Sequence, residues 1–209
     1  MNGASEELLG LFPLGLVLVP GEVIPLHIFE ERYKKLIGER LEEGEFGVIL
    51  AEEDGLRECG CSARVVEVVE SLDDGRMNVI VEGVRRFRLL ELREPDDPAE
   101  EYLSGLVDYF DDAEPDATQE TRSALLEVYR RMLVLMEVEK PNEPAGEGPL
   151  SFRVAAAVDF GAPLKQELLE SLSEEQRIGT LLTVIGTLLP RLELRKEREE
   201  AIRGNGKGY

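Results

Sequence analysis

The sequence predicts an α+β protein: a β-rich first half holding one helix, followed by a helical second half. Three observations carry this. After the turn "LDDGR" at residues 72–76, Met77, Val79 and Val81 alternate with Asn78, Ile80 and Glu82, which is the period of a strand. Further on, Leu125, Leu126, Val128, Tyr129, Met132, Leu133 and Met136 recur at helical spacing. Between the two patterns, from Glu94 to Thr121, there is no Lys or Arg, while Asp and Glu gather around Pro95, Pro98 and Pro115. This acidic stretch sets the limits of a β-rich unit over 1–112 and a helical unit over 117–205.

Taken in order, residues 11–19 give a short apolar strand. Pro20-Gly21 turns it, because proline presets one backbone angle and glycine supplies the unusual one. A proline-fixed segment around Pro25 leads through His27 into a helix over 29–43, where Phe29, Tyr33, Leu36, Ile37 and Leu41 share a face. Gly44 stops it. Strands follow at 46–51 and 63–69. The hairpin after residue 72 continues past Gly83 into "VRRFRLLEL", and residues 101–110 form the last strand. Helices are predicted over about 125–136, 150–158 and 163–171, with the loop "KPNEPAGEG" closing the first of them. Ser173 and Gln176 form a capping box for a long final helix, where Pro190 produces a kink or a turn.

A chain of 209 residues buries about 70% of its unfolded surface and needs neither disulfide nor metal to hold a core. No window approaches the roughly 18 uninterrupted apolar residues that a membrane span requires. The first eleven residues hold Glu6 and Glu7 and no basic residue, so no secretory leader is expected and the cytoplasm is the expected location. Cys59 and Cys61 fall on one face of a strand, too close for an ordinary bridge, and are expected as reduced thiols. A net charge of -20 repels a phosphate backbone, which argues against nucleic acid as a partner.

The residue types that mark catalysis do not converge. One histidine excludes a His-rich metal site, and Cys59, Cys61 and His27 would lack a fourth zinc ligand. With 44 carboxylates in the chain, adjacent pairs carry no information about acid-base chemistry. The tail "GNGKGY" lacks the spacing and the Ser or Thr of a phosphate loop and reads as a frayed terminus. Neither metal nor cofactor is expected, and the chain reads as a non-enzyme.

Two stretches together resemble a known family. "FPLGLVLVPGEVIPLHIFEERY", with Phe12, Pro13, Leu14, Pro20, Gly21, Pro25, Leu26, Ile28, Phe29, Glu30, Arg32 and Tyr33, is similar to the opening of the Lon N-terminal substrate-binding domain. "ECGCSARVVEVVESLDDGRMNVIVEGVRRFRLLEL" matches the family's next segment through Gly60, Asp74, Gly75, Gly83, Arg86 and Phe87. Glu31 and Cys61 depart from the pattern, standing where proline and threonine are usual. The resemblance implies a stand-alone member without the ATPase and protease domains of full-length Lon. It further implies a PUA-like, barrel-like sheet with a helical bundle behind it.

What the resemblance implies for function is a module that recognises proteins and peptides by binding exposed apolar segments. Its partners would be unfolded or partly unfolded polypeptides, together with a separate ATP-dependent protease or other protein. The candidate surface is a groove between the two units near His27, Phe29 and Tyr33; both aromatic residues are expected to anchor the helix to the barrel, Tyr33 as the one also presented to the partner and Phe29 as the core residue. Two other readings remain on the same scaffold. A deep aromatic pocket containing Cys59, Cys61 or His27 would indicate small-molecule binding or hydrolysis. A basic patch from Arg85, Arg86, Arg88 and Arg93 would indicate RNA binding of the PUA type.

Overall fold

The computed structural model describes residues 6–42, 44–98, 101–113, 116–138 and 143–205. The first five residues, Glu114 and Pro115 of the acidic stretch, the start of the "KPNEPAGEG" loop and the last four residues of the tail lie outside these. The strands are β1 (Glu6–Leu14), β2 (Val23–Ile28), β3 (Phe46–Glu52), β4 (Gly55–Ser71), β5 (Met77–Arg93) and β6 (Ser104–Tyr109). The helices are α1 (Glu31–Gly38), α2 (Gln119–Leu135), α3 (Leu150–Ala157), α4 (Ala162–Glu170) and α5 (Glu174–Asn205).

The β4–β5 hairpin is the frame, and its Asp-Gly turn falls where the sequence placed it. The sheet runs β2-β5-β4-β3-β1-β6, and β6 returns to pair with β5, closing five strands into a barrel with β2 attached outside the closure. Among the described residues β1 and β3 pair in parallel, and the other pairings are antiparallel. The fold is thus the expected α+β one, a barrel-like sheet followed by helices.

A single strand serves three neighbours because β5 changes partner part-way along. Its residues 77–82 pair with β2, and residues 87–93 pair with β6. At the changeover the incoming chain presses against Gly83, where an added Cβ would lie 2.3 Å from the carbonyl oxygen of Val19. Gly83 donates its N–H to Glu22 O and accepts from Gly21 N. Only glycine fits there. Inside the barrel, Phe87 packs with Leu9, Leu11, Ile49 and Val107. A Cβ on Gly60 would come within 2.4 Å of the Phe87 ring, so that position too is reserved for close approach.

Two expected elements are displaced. The first strand lies at 6–14, not 11–19, and Val17, Leu18 and Val19 are buried without joining the sheet. The ladder ends at Leu14, before Gly15 and Pro20, while the apolar side chains beyond it still fill the core. The helix expected over 29–43 is confined to 31–38, with Glu30 extended in front of it. The last helix starts as predicted, Gln176 N donating to Ser173 Oγ at 3.4 Å, and continues through Pro190.

One set of buried side chains, including Phe12, Leu36, Phe46 and Val81 from the first half and Leu125, Met132, Ile178 and Leu181 from the second, forms a continuous core. Within its boundary lies a buried polar network. Arg177 of α5, 1% exposed, donates through Nη1 to Asp112 Oδ1 at 2.6 Å and through Nη2 to Glu174 Oε2 at 2.9 Å. Arg86 of β5 donates to the same Asp112 Oδ1 at 2.7 Å and to Leu169 O at 3.1 Å. The Phe152 ring lies beneath both guanidinium groups, at 4.4 Å from Arg177 and 5.4 Å from Arg86. A second buried pair, Lys165 with Glu22, joins α4 to the loop before β2.

Burial alone would raise the pKa of Asp112, but hydrogen bonds and charges from Arg177 and Arg86 outweigh it and hold the carboxyl below the usual range. Its contribution to stability is therefore complete above the unfolded value near 3.9 and is lost as pH falls through the lower folded value. Replacing Arg177 by Ala leaves the buried Glu174 carboxylate without its cation and Asp112 with Arg86 alone, and should lower the unfolding free energy by roughly 3–5 kcal/mol, read as a shift in urea midpoint at constant slope. The stability gap between wild type and Asp112→Asn should be open at neutral pH and close in acid. An unchanged midpoint, or a gap that does not narrow, would refute the role given to this network.

Candidate functional site

Alternation along β2 builds one outer face. Val23, Pro25 and His27 point outward, whereas Ile28 is buried and Ile24 and Leu26 pack on the core. Across β5 and β4 the face continues in three rows: Val23–Glu82–Arg64, Pro25–Ile80–Glu67 and His27–Asn78–Glu70. Register shifts in β4 between Val65 and Glu67 and between Val68 and Glu70 insert Val66 and Val69, both exposed. From Val66 to Ser71 every side chain of β4 is exposed, so this arm stands proud of the core.

β2 forms an end of the sheet order. The bond from Gly83 N to Glu22 O makes Val23–Glu82 a non-hydrogen-bonded pair, and by alternation Pro25–Ile80 is another. Pro25 therefore turns its N–H-less side to the open edge, where no ladder bond is lost.

His27 Nδ1 donates to Asn78 Oδ1 at 2.7 Å, and Asn78 Nδ2 donates to Glu70 Oε2 at 2.8 Å, which fixes the third row across all three strands. The Phe29 ring stacks on the His27 ring at 5.7 Å with 24° between the planes. Beyond it, Lys34 Nζ donates to Asp74 O at 2.8 Å and to Glu31 Oε1 at 2.7 Å, tying the hairpin tip to α1.

The structure reverses the expected roles of the two aromatic residues. Phe29 is 58% exposed, and Tyr33 is 7% exposed, its ring 4.1 Å from that of Phe12. The physical reason is parity. After His27 out and Ile28 in, Phe29 points out while the backbone is still extended, through Glu30, and the helix begins too late to carry it inward. Burial pushes the Tyr33 hydroxyl pKa up, ahead of the opposing effect of Arg32. His27 and Phe29 thus share a surface, and Tyr33 lies in the core behind it. Val23, Ile80, Glu67 and Glu70 complete the face; the Asp-Gly turn hints at their pairing, but the two bulges hide it.

None of His27, Phe29 and Tyr33 lines the cleft of about 510 Å³ that lies between Pro20-Gly21, the β5 stretch Glu82–Val84 and the loop Gly146–Pro149. A cleft of about 430 Å³ beside Cys59 is lined by Leu56, Arg57, Glu58, Arg88 and Glu170, without an aromatic residue. Cys59 and Cys61 are free and buried, and burial pushes both thiol pKa values up. The four arginines weighed as a basic patch are dispersed: Arg86 is in the network, Arg85 pairs with Glu45 at 3.1 Å and Arg93 with Glu91 at 3.4 Å. Among the described residues no three His, Cys, Asp or Glu side chains are grouped as a metal site requires, and no helix is long and apolar enough to cross a membrane.

The profile of the ATP-dependent protease La (LON) substrate-binding domain matches residues 9–186. This chain belongs to that family. Among proteins similar to this Lon substrate-binding domain, the Lon protease of Parabacteroides distasonis is 28% identical over 205 residues, which cover 88% of this chain and 24% of that protein. The Lon protease of Halothermothrix orenii is 27% identical over 192 residues, 82% of this chain and 24% of that protein. The chain spans about a quarter of the length of these relatives. Among solved structures, the Lon N-terminal domain protein from Xanthomonas campestris superposes with a TM-score of 0.66 at 27% identity, covering 85% of this chain and 98% of that one. The N-terminal domain of the Mycobacterium avium complex Lon protease, at 18% identity and a TM-score of 0.63, shares the fold.

The reversal of the aromatic residues is directly measurable. Tyr33→Ala removes a core ring and should cost about 3 kcal/mol or more of stability. Phe29→Ser, at an exposed position, should stay within about 0.5 kcal/mol of wild type in urea denaturation. Equal losses in the two variants would contradict this assignment.

Proposed function

We propose that this Lon substrate-binding domain is a non-enzymatic recognition module that binds exposed apolar segments of unfolded or partly unfolded polypeptides on the outer face of β2, β5 and β4. The observation that supports this reading best is the stacked, solvent-facing His27–Phe29 pair, set beside Val23, Pro25 and Ile80 at an open sheet edge. Large apolar groups grouped on a rigid sheet mark an interaction surface. Of the residues first placed in the site, His27 and Phe29 contact the partner, and Tyr33 holds the helix behind them. On this reading the unit 1–112 carries the surface and the unit 117–205 supports it. The family's name supports polypeptides as the partner class. A cytoplasmic ATP-dependent protease would be the recipient of what is bound.

The energetics of such a face are modest. Apolar burial contributes about 25 cal/mol per Å², against the ordering of a flexible partner, and the balance gives micromolar affinity, about -8 kcal/mol. Full-length chain should bind a reduced, alkylated and permanently unfolded model protein in that range, followed by fluorescence anisotropy. The native form of the same protein should not compete. Phe29→Ser should weaken binding by roughly tenfold, as expected for an aromatic anchor. If the unfolded protein does not bind, or if Phe29→Ser binds as wild type, the reading fails.

A further inference from the structure

We infer that the polypeptide segments taken up by this face carry Lys or Arg next to their apolar residues, and that Glu67 and Glu70 select them. The inference rests on the surface proposed above and adds a charge preference to it. It comes from the way the three rows end. On the β2 side they present Val23, Pro25 and His27, with Phe29 beyond; on the β4 side they end in Arg64, Glu67 and Glu70. Arg64 is neutralised by Glu82, with Nη2 to Oε2 at 2.7 Å. At the hairpin tip Arg76 pairs with Asp74, and beside it on α1 Lys34 pairs with Glu31, each at 2.7 Å, which leaves Asp73 as the tip's remaining charge. Among the described residues, no ion pair includes Glu67 or Glu70, and both side chains are exposed. Glu70 accepts one hydrogen bond, from the neutral amide of Asn78, and keeps its charge uncompensated.

The face is therefore an apolar lane along β2 with an acidic lane parallel to it, two strand spacings or roughly 10 Å away. Ile80 and Asn78 lie between. A segment seated with an apolar side chain over Phe29, Pro25 and Ile80 places a neighbouring long basic side chain within reach of the acidic lane, its methylenes over Ile80 and its charge at a carboxylate. A segment with acidic neighbours meets two unneutralised carboxylates in a molecule of net charge -20. The protein would thus separate apolar segments of similar hydrophobicity by the sign of what flanks them.

The test uses three fluorescein-labelled peptides with one Leu- and Phe-containing core, flanked on both sides by Lys, by Ser or by Glu, titrated with the full 209-residue chain. The Lys-flanked peptide should bind about tenfold more tightly than the Glu-flanked one at low salt, and the ratio should shrink at high salt. In Glu67→Gln/Glu70→Gln, the Lys-flanked peptide should fall to within about twofold of the Ser-flanked one, whose own affinity should not move. Glu197→Gln/Glu200→Gln on α5 changes the net charge equally and should leave the preference intact. If the preference survives the first double variant, or falls equally in the second, selection by Glu67 and Glu70 is overturned while the binding surface stands. If the Ser-flanked peptide does not bind, or is indifferent to Phe29→Ser, the surface itself is wrong and this inference falls with it.

Discussion

The carboxylate of Asp112, placed between two buried guanidinium groups, is the contact on which the rest of the arrangement depends. Arg86 comes from the barrel, Arg177 from the last helix, and Asp112 from the chain that leaves the last strand. With Glu174 the group sums to two positive and two negative charges. A buried cation of either element alone would be prohibitively costly, so neither half can complete its core without the other. The ring of Phe152 beneath both guanidinium groups adds a contact that a lysine would make poorly. Apolar packing across this boundary is non-directional, whereas five N–H donors per arginine fix the angle at which the helices meet the sheet. The outer face of β2 depends on that fixation indirectly, because α4 also anchors the loop leading into it through Lys165 and Glu22.

Division of labour along β5 follows from the same arrangement. Its second half closes the barrel and carries Arg86 and Phe87 to opposite sides, one to the helices and one to the barrel interior. Its first half has left the closure and carries β2 on one side and the projecting arm of β4 on the other. A closed barrel has no free edges; extending two of its strands beyond the closure creates one. The surface able to meet a partner is thus a direct product of strand length, seventeen residues in each hairpin arm.

Much of this was legible in the sequence, for local reasons. The Asp-Gly turn, the alternation after it, the helical stripes and the Ser173 cap each depend on neighbours a few residues away. The misassignments share a different cause. Phe29 and Tyr33 are four apart and satisfy helical spacing, but Ile28 to Glu30 also continues the alternation of β2, and periodicity cannot choose between two patterns that overlap by two residues. The bulges that bring Val66 and Val69 to the surface are invisible in composition. Arg86 stands among "RRFR" as one charge of three, and its partner Asp112, which it shares with Arg177 of α5, lies 26 positions away, beyond any pattern a single sequence displays. His27 and Phe29 were singled out by the resemblance; that they share an exposed face follows from the parity of β2, which the helical reading of Phe29 overrode.

Negative charge also bears on why this face can remain exposed. An open strand with Val23, Pro25 and His27 on one side is a template for pairing with any extended chain, including another copy of itself. Pro25 removes one donor from the middle of the edge, which shortens the ladder that a second strand could form. The acidic lane adds an electrostatic term of opposite sign for different partners. Two copies meeting at this edge do so under the repulsion of two chains of charge -20, whereas a flexible segment bearing cations reduces that repulsion as it binds. On the proposed reading, apolar area would supply attraction without discrimination, and the uncompensated carboxylates would supply discrimination at little cost to the fold, because their side chains are exposed on an arm held through its pairing with β5.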